Sequence, residues 1–291
     1  MRVTRLFRLS RCLLMLVLAV ATPRLAGAWA AVGHQTVAYI AQDHLTSNTS
    51  QQVRAILGAN GDLAAVAKWA DDIKHTSRPA TAPWHYIDLP VRTNVTLTSI
   101  GQYCITNDLL DQVNLDMAAL KAATASDTNR LETLKFLVHF AGDLSMPLHC
   151  SDDGDTGGND KKVRFYGPSG LRPLGTKTDL HSLWDHLIEI KTTEDPRQLA
   201  TDLESHISQS QIADWCKGSP EDWAMESYGI AKQVIYTNFA AGATPTGTVV
   251  KLSRRYYSNV RPIVDVQLER AGIRLAHILN SIYDPASANH P

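Results

Sequence analysis

The sequence lacks most of the features that identify a simple functional class. No apolar run after residue 28 reaches the roughly 18 residues that a membrane-spanning helix needs. The formal net charge is −1 over 291 residues, which argues against nucleic-acid binding by bulk charge. Hydrophobic residues make up 44% and charged residues 20%, so the chain is neither collagen-like nor wholly disordered.

Several well-known catalytic motifs are also missing. The chain contains no Gly-x-Ser-x-Gly turn, no Walker phosphate loop, no Gly-x-Gly-x-x-Gly fingerprint and no His-Glu-x-x-His zinc motif. Cysteine is scarce. After Cys12 only Cys104, Cys150 and Cys216 remain, which allows one disulfide and one free thiol without identifying the pair.

The N-terminus has the pattern of a targeting segment. It carries five arginines and no acidic residue up to residue 28. An apolar stretch from Cys12 to Ala21, followed by small residues that end at Ala28, predicts a signal peptide over residues 1–28. We therefore expect a periplasmic or secreted protein that begins at Trp29. That mature chain has 23 basic residues (28 − 5) against 29 acidic ones, a net charge near −6.

Apolar residues spaced by three and four predict one mostly α-helical domain over residues 29–283, with a flexible tail over 284–291. Pro147 should end one helix, and Pro262 should precede the last one. Lys162–Tyr166 is a candidate strand within a glycine-rich loop. The helix candidates are Val53–Leu57, Leu63–Ile73, Leu109–Ala123, Leu131–Leu144, Leu180–Ile190, Leu199–Trp215, Glu221–Phe239 and Val264–Ile282.

Two histidine–aspartate pairs have a spacing that is suited to metal binding. His139 and Asp143 lie four residues apart in a helix candidate, and His181 and Asp185 repeat the arrangement. Because residues four apart share one helical face, an imidazole and a carboxylate can bind the same ion. The neighbouring apolar residues favour burial of both pairs, which costs several kcal/mol unless the groups are paired or metal-bound.

Further nitrogen and oxygen donors lie outside these pairs. Taken alone, each of them is better explained as an ordinary core or surface residue. Together with the free α-amine expected at Trp29, they form the ligand set of a hydrolytic zinc site rather than that of a structural zinc finger. His85 falls within the strand-like run Trp84–Asp88. These donors are His34, Asp71, Asp72, His85 and His149.

Seven short motifs occur in order and carry a family resemblance. They are Trp29-Ala-Ala-Val-Gly-His34, Trp69-Ala-Asp71, His85-Tyr-Ile-Asp88, Phe136-Leu-Val-His139-Phe-Ala-Gly-Asp143, Met146-Pro-Leu-His149, Gly157-Gly-Asn159 and Leu180-His181-Ser-Leu-Trp-Asp185. The ordered set resembles the type I single-strand nuclease and 3′-nucleotidase family over nearly the whole mature chain. The resemblance implies a single-domain helical bundle with long loops around a cleft that contains three zinc ions.

The resemblance also implies which residues bind each ion. For the first zinc it assigns Asp71, His85, His139 and Asp143. For the second it assigns Trp29 and His34, with Asp143 bridging the first two ions. For the third it assigns His149, His181 and Asp185. Asp72 lies beside Asp71, but the Trp-Ala-Asp motif favours Asp71 as the ligand.

Four residues have implied roles in the reaction and in substrate binding. Asp71 and Lys74 would be catalytic, Tyr86 would stack on a base, and Asn159 would face the substrate. The basic residue is lysine, whereas some members have arginine, so it offers a point charge and no bidentate contact. The disulfide pattern of fungal and plant members is not reproduced, because only three cysteines remain after the signal peptide.

The implied activity is zinc-dependent cleavage of single-stranded DNA and RNA to 5′-phosphate products, with removal of phosphate from 3′-nucleotides. A monomer is the default expectation. One alternative is a zinc-dependent phospholipase C, which resembles this group in its three-zinc helical site. A second alternative is a metal-binding envelope protein without catalysis. The sequence leaves open the preferences for RNA or DNA, for strandedness and for base.

Overall fold

The structure, a computed structural model, describes residues 29–58, 61–122, 127–166, 176–187 and 195–286. The predicted signal peptide and the end of the predicted tail lie outside these ranges. Within them the chain forms eleven α-helices. In order, α1 to α11 are Ala31–Asp43, Ser47–Leu57, Leu63–Val66, Trp69–Lys74, Leu109–Lys121, Asp127–Ser145, Leu180–Asp185, Pro196–Glu204, Gln209–Trp215, Pro220–Ile230 and Arg254–Tyr283. The prediction of a mostly α-helical fold is confirmed.

A small sheet accompanies the helices. Its strands are β1 (Lys162–Tyr166), β2 (Thr176–Asp179) and β3 (Val250–Ser253), in the order β2-β1-β3. The β2 strand runs antiparallel to β1, whereas β3 runs parallel to it. The prediction of β1 is confirmed. The other two strands are too short and too polar to stand out in the sequence.

Helix α6 lies at the centre of the fold. It contacts the helices α1 to α5, α10 and α11. Its apolar residues are buried all round, from Leu134 and Phe136 to Leu144, which is typical of a core helix. It ends at Ser145, before Pro147 as predicted, because proline cannot continue the backbone hydrogen-bond ladder. Residues at the C-terminal end of α6 are therefore held rigidly inside the protein.

Helix α11 begins earlier than predicted, at Arg254, and Pro262 lies inside it. The prediction that Pro262 precedes the helix was wrong. Both Pro262 and Ser258, whose carbonyl loses its helical partner, are exposed, so water can satisfy that carbonyl. Buried Tyr257 and Val260 continue the apolar stripe of the helix across the proline, and their packing favours one continuous helix.

Four helix predictions were too long. Leu180–Ile190 is helical only as far as Asp185, and its last three residues lie outside the described ranges. Leu63–Ile73 is broken near Ala67 into α3 and α4. Leu199–Trp215 is broken at Ser208, whose hydroxyl and backbone form a capping box with Gln211 and begin α9. Glu221–Phe239 leaves α-helical geometry after Ile230 and continues as a π-helical turn followed by a 3₁₀ turn. Polar caps and changes of helix type therefore interrupt runs whose apolar spacing is regular.

Helix α1 was not predicted, yet its contact with α11 is the most extensive helix pairing in the described structure. The two helices approach closely at Gly272. A Cβ atom at this position would lie 2.5 Å from both Cβ and Cγ2 of Ile40 and 3.1 Å from the carbonyl oxygen of Val37. Glycine is needed here because α1 leaves no space for a side chain.

We predict that Gly272→Ala destabilises the protein by about 1–3 kcal/mol, because it overpacks the contact between α1 and α11. The matched control is Gly229→Ala in α10, where the added Cβ would meet only Gln233 Nε2, at 3.9 Å. The free energy of unfolding of that control should rise by up to about 1 kcal/mol, because alanine has a higher helix propensity than glycine. Thermal unfolding of both variants measures the difference, and equal midpoints would contradict the prediction.

A second prediction concerns Asp116, a residue of α5 that is 8% exposed. Burial, with the charge of Glu132, raises the pKa of Asp116 to about 8. The folded protein therefore binds a proton that the unfolded chain releases near pH 4. Stability should fall as pH rises from about 4 to 8, since ionisation of the buried carboxyl opposes folding.

Asp116→Asn should remove this dependence and stabilise the protein at pH 8 by on the order of 2 kcal/mol, while changing little at pH 4. The control is Asp214→Asn, an exposed carboxylate that pairs with Lys217, and its effect should stay below about 1 kcal/mol at every pH. Unfolding midpoints across this pH range test the prediction. A difference between Asp116→Asn and the natural protein that does not vary with pH would refute it.

Candidate metal centre

Helix α6 places two metal-ligand candidates on one face at its buried end. His139 and Asp143 are one turn apart and fully buried, with His139 Nε2 3.3 Å from Asp143 Oδ2. The indole N–H of Trp29 donates to the carbonyl of Gly142, so the predicted mature N-terminus lies against the same turn. The structure therefore places the two residues of this pair on one helical face, as their spacing of four predicts.

Two further donors reach this face from separate segments. Asp71 of α4 places Oδ1 3.4 Å from His139 Nε2 and 3.7 Å from His85 Nδ1. His85 Nδ1 lies 2.9 Å from Asp143 Oδ2 and 3.1 Å from His139 Nε2. Each of the four residues assigned to the first zinc therefore has a ligand atom within 3.7 Å of two or more of the others. Two overlapping groups could each hold a metal ion: His85 with His139 and Asp143, and His34 with Asp71 and His139.

His34 of α1 lies on the other side of Asp143. Its Nε2 is 3.3 Å from Asp143 Oδ1, while Asp143 Oδ2 faces His85 and His139. The imidazole of His34 also stacks on that of His139, with the ring centroids 3.8 Å apart. The two oxygens of Asp143 thus point to two different sets of donors, as a bridging carboxylate requires.

A third group of donors combines His149, which follows α6, with two residues of α7. His149 Nε2 and His181 Nε2 are 3.1 Å apart, and His181 Nε2 lies 3.8 Å from Asp185 Oδ2. Helix α7 supplies His181 and Asp185 at a spacing of four. The backbone N–H of Ala30 donates to the carbonyl of Asp185, so the chain next to Trp29 touches this group as well.

Backbone carbonyls fix the orientation of three of these imidazoles. The Nδ1–H groups of His139, His149 and His181 donate to the carbonyls of Ala67, His85 and Gly157, respectively. Each bond leaves Nε2 facing the cluster, as is usual for histidine ligands of metals. The break between α3 and α4 has a function in this arrangement, since the carbonyl that it frees at Ala67 accepts from His139.

His85 departs from its predicted local structure. The run Trp84–Asp88 is not a strand, because His85 ends a 3₁₀ helix over Pro79–His85. The residues that follow are extended and bond to the segment after His149, with Ile87 N donating to the carbonyl of His149. Together with the bond from His149 Nδ1 to the carbonyl of His85, this holds the two histidines side by side.

The donor set fits divalent metal ions. Neither carboxylate oxygen of Asp185 has a hydrogen-bond partner among the described residues, although the side chain is fully buried. Such a group is costly unless a cation compensates it. Two ligands of a tetrahedral zinc site lie about 3.3 Å apart, and the distances between candidate ligand atoms quoted above lie between 2.9 and 3.8 Å. Nitrogen and carboxylate oxygen donors suit zinc.

The electrostatics of the cluster also favour a cation. Burial raises the pKa of Asp185 well above its usual value, and the charge of Asp71 acts in the same direction. Burial lowers the pKa of His85 to about 4, which leaves it a neutral ligand. Burial would lower the pKa of His139 too, but the carboxylates of Asp143 and Asp71 outweigh it and raise that pKa to about 10. Positive charge is thus strongly favoured beside those carboxylates.

The structure separates the two adjacent aspartates. Asp71 points into the cluster, where Lys74 Nζ lies 2.5 Å from its Oδ1. Asp72 points outward and pairs with Lys68 on the surface. Lys74 is buried, with 9% of its surface exposed, so its ammonium group lies at the edge of the cluster rather than in solvent. The preference for Asp71 over Asp72 therefore agrees with the geometry.

A cleft of about 300 Å³ opens beside the third group and is lined by Tyr86, Asp88, Asn159 and His181, among others. Tyr86 is one of the few large hydrophobic residues that are exposed among the described residues, with 39% of its surface accessible. The side chain of Asn159 donates to the carbonyl of Thr156 and lies at the cleft wall. Both predicted substrate-side residues thus reach the same cleft.

Sequence reasoning missed the residues that shape the cleft loop. Asp152 accepts from the N–H of Gly157, and Asp155 accepts from the N–H of Gly158 and from the hydroxyl of Tyr236. These bonds hold the carbonyl of Gly157 against His181. Gly157 has φ +57°, and a Cβ at this position would lie 2.9 Å from the carbonyl oxygen of Leu148. The sequence feature that could have indicated these residues is the occurrence of several aspartates within a glycine-rich segment, where carboxylates commonly accept from backbone N–H groups.

The cysteines form no part of the donor groups described here. Cys104, Cys150 and Cys216 are free thiols, so the disulfide that the sequence allowed is not formed. Cys150 follows His149 but is fully buried, and its thiol donates to the carbonyl of Leu144. Burial raises the pKa of the Cys150 thiol, which makes a thiolate nucleophile at this position unfavourable.

Fold and site together define a class: a helical protein with a cluster of histidine and aspartate donors, suited to a metal ion, beside an open cleft. The sequence profile of the S1/P1 nuclease family matches residues 29–284, and the chain belongs to that family. It is therefore a nuclease, a hydrolase that acts on phosphodiester bonds.

Individual relatives agree with this assignment. The chain is 33% identical to Endonuclease 4 of Arabidopsis thaliana, with 88% of this chain and 89% of the relative covered. It is 30% identical to Nuclease P1 of Penicillium citrinum (88% and 98% covered) and 28% identical to Nuclease S1 of Aspergillus oryzae (87% and 91% covered). The phospholipase C alternative is not favoured, and neither is a non-catalytic protein. No helix among the described residues has the length and apolarity to cross a membrane.

We predict that Asp71→Asn removes metal from the protein and lowers phosphodiester hydrolysis at least about 100-fold, because loss of even an outer partner of a ligand costs 10- to 100-fold. The matched control is Asp72→Asn, which removes only an exposed ion pair with Lys68. That control should retain its metal and lose less than about 1 kcal/mol of stability. Metal content by elemental analysis and hydrolysis rates are measured for both, and metal loss from Asp72→Asn would contradict the assignment.

Proposed function

We propose that the protein is an extracytoplasmic, zinc-dependent endonuclease that cleaves single-stranded DNA and RNA to 5′-phosphate products and removes phosphate from 3′-nucleotides. The observation that carries the proposal is the convergence of donors around Asp143. The names of the relatives support nuclease activity, and the open cleft beside the donors supports a substrate whose bases are unpaired.

The proposed metal assignment follows the three groups of donors. The residues that would hold the first zinc are Asp71, His85, His139 and Asp143. Those for the second are the backbone of Trp29, His34 and Asp143. Those for the third are His149, His181 and Asp185. When bound, zinc lowers the pKa of water to about 7 and neutralises charge on a phosphate ester.

Lys74 has the proposed role of stabilising charge on the phosphoryl group. Its ammonium group is held 2.5 Å from Asp71 Oδ1 and is screened from solvent, so it cannot swing away from the cluster. A fixed cation at this place favours the additional negative charge that phosphorus bears as the new bond forms. The role of Asp71 is to bind metal and to orient Lys74.

Tyr86 has the proposed role of a stacking surface for a base. It is exposed at the cleft, and its neighbour His85 is fixed within the donor cluster, so the backbone of Tyr86 lies directly beside the proposed metal site. Stacking on an aromatic ring needs an accessible base face, which single strands offer and duplexes hide. Asn159 on the cleft wall supplies polar contact to the same nucleotide.

We further propose that the signal peptide is removed before Trp29 and that the enzyme acts in the periplasm or outside the cell as a monomer. The family match begins at residue 29, which supports this boundary. Cleavage there would create an α-amine beside Gly142 and Asp185, where the chain already contacts the donor groups. An amine with a pKa near 8 would release its proton to water when a metal ion binds to its lone pair.

The test is a digest of single-stranded DNA and of RNA by protein that begins at Trp29, with zinc and with a chelator. We expect fragments with 5′-phosphate and 3′-hydroxyl ends, loss of activity with the chelator, and recovery when zinc is restored, because the donors bind a divalent ion. A phosphatidylcholine substrate serves as the control and should remain intact. Lack of cleavage by protein with a full zinc content would overturn the proposal.

A further inference from the structure

The outward face of the small sheet carries a row of positive charge. In the sheet, Arg164 of β1 lies directly opposite Lys177 of β2 on one side and Lys251 of β3 on the other. Val163, Phe165 and Leu252, whose side chains point the other way, are buried in the core. The cations therefore project together from the opposite face, and both lysines are exposed.

This arrangement is unfavourable in the protein alone. Like charges directly opposite one another on neighbouring strands repel, and each such pair destabilises a sheet. No ion pair of the described residues involves Arg164, Lys177 or Lys251. The segment 167–175, outside the described residues, contains one arginine and no acidic residue. The acidic residue on this face, Asp179 of β2, forms no ion pair with the row among the described residues, and its carboxylate accepts from the N–H of Ser182 as the cap of α7.

Further cations continue the row at one end. Arg254 and Arg255 follow β3 directly and are exposed in the first turn of α11, where no acidic residue balances them. Tyr166, at the end of β1, lies on the same face as Arg164, two residues further along the strand. Positive charge beside an aromatic ring is the combination that binds single-stranded nucleic acid without sequence preference.

The row is adjacent to the cleft. Lys162 at the start of β1 donates from Nζ to the carbonyl of Asn159, which lines the cleft. Arg164 is two residues further on, about 6–7 Å along the strand. The three cations span about 10 Å across the sheet, since neighbouring strands are about 5 Å apart. A polynucleotide that leaves the cleft past Asn159 and follows β1 would therefore pass Lys162 and then Arg164, with Lys177 and Lys251 on either side.

We infer that Arg164, Lys177 and Lys251 form an accessory surface that binds the phosphodiester backbone of a single-stranded polynucleotide outside the cleft. The inference rests on the proposed function and adds a distinction among its substrates. Polynucleotides would contact both the cleft and the sheet, whereas mononucleotides and dinucleotides would occupy the cleft alone. Since the mature chain has a net charge near −6 (23 − 29), this local surface differs in sign from the protein as a whole.

The test uses the triple variant Arg164→Gln/Lys177→Gln/Lys251→Gln in the zinc-loaded mature enzyme. For a long single-stranded DNA at low salt we expect KM to rise at least about fivefold with kcat little changed, since backbone contacts supply affinity and no chemistry. The slope of log KM against log salt concentration should decrease by about 2, because each of the three lost phosphate contacts contributes about 0.7 to that slope. The values of kcat and KM for a 3′-mononucleotide should stay the same.

The matched control is Arg54→Gln/Lys121→Gln/Lys217→Gln, which removes the same charge from exposed sites outside the sheet. A KM for DNA that rises equally in both triple variants would overturn the inference, because it would reflect net charge alone. An unchanged KM in the sheet variant would also overturn it. Binding to vesicles that contain phosphatidylglycerol is measured in parallel, and a sheet variant that loses vesicle binding but keeps its KM for DNA would show that the surface binds lipid instead. Failure of the natural enzyme to cleave any polynucleotide would instead contradict the proposed function, and the two results are distinguishable.

Discussion

The buried carboxylate of Asp143 is the constraint on which the rest of the site depends. It lies without solvent contact at the end of the central helix α6, and its two oxygens face histidines on opposite sides. An isolated carboxylate would be very costly at this position. The fold therefore has to bring compensating groups to it, and these are histidines from α1, from α6 itself and from the end of a 3₁₀ helix.

The same constraint explains several irregular features of the backbone. The break after α3 frees the carbonyl of Ala67 for His139, and the tight turn at Gly157 provides a carbonyl for His181. Each irregularity weakens local secondary structure, yet each one orients an imidazole toward the cluster. Asp152 and Asp155 contribute one step further from the cluster. They accept hydrogen bonds from the glycine-rich loop, and that loop orients His181.

Different parts of the molecule hold the metal-ligand candidates in place and leave the cleft open to substrate. Helices and their ends hold most of the donors, since packed side chains fix positions more accurately than loops do. The loop before β1 and the sheet lie at the open side, where Tyr86, Asn159 and the cationic row are accessible. A nuclease needs both properties, because the reacting phosphate must be held accurately while a long strand enters and leaves.

Much of the site could be read from the sequence, because spacing alone places His139 with Asp143 and His181 with Asp185 on helical faces. The ordered motifs added His34, Asp71, His85 and His149 through resemblance to known nucleases. Helix boundaries were less predictable, since capping by Ser208 and packing across Pro262 override a regular apolar pattern. Helix α1 was not predicted, although the absence of a side chain at Gly272 is what allows α1 to pack closely against α11.

The sequence by itself determined the helical class, the family and the identity of the candidate ligands, because these depend on residue type and on short spacings. Only the tertiary structure decided which donors meet, that Asp71 rather than Asp72 faces the cluster, and that the three thiols stay apart. It also decided that Arg164, Lys177 and Lys251 form one row, since strand register is set by side-chain packing between segments far apart in the chain.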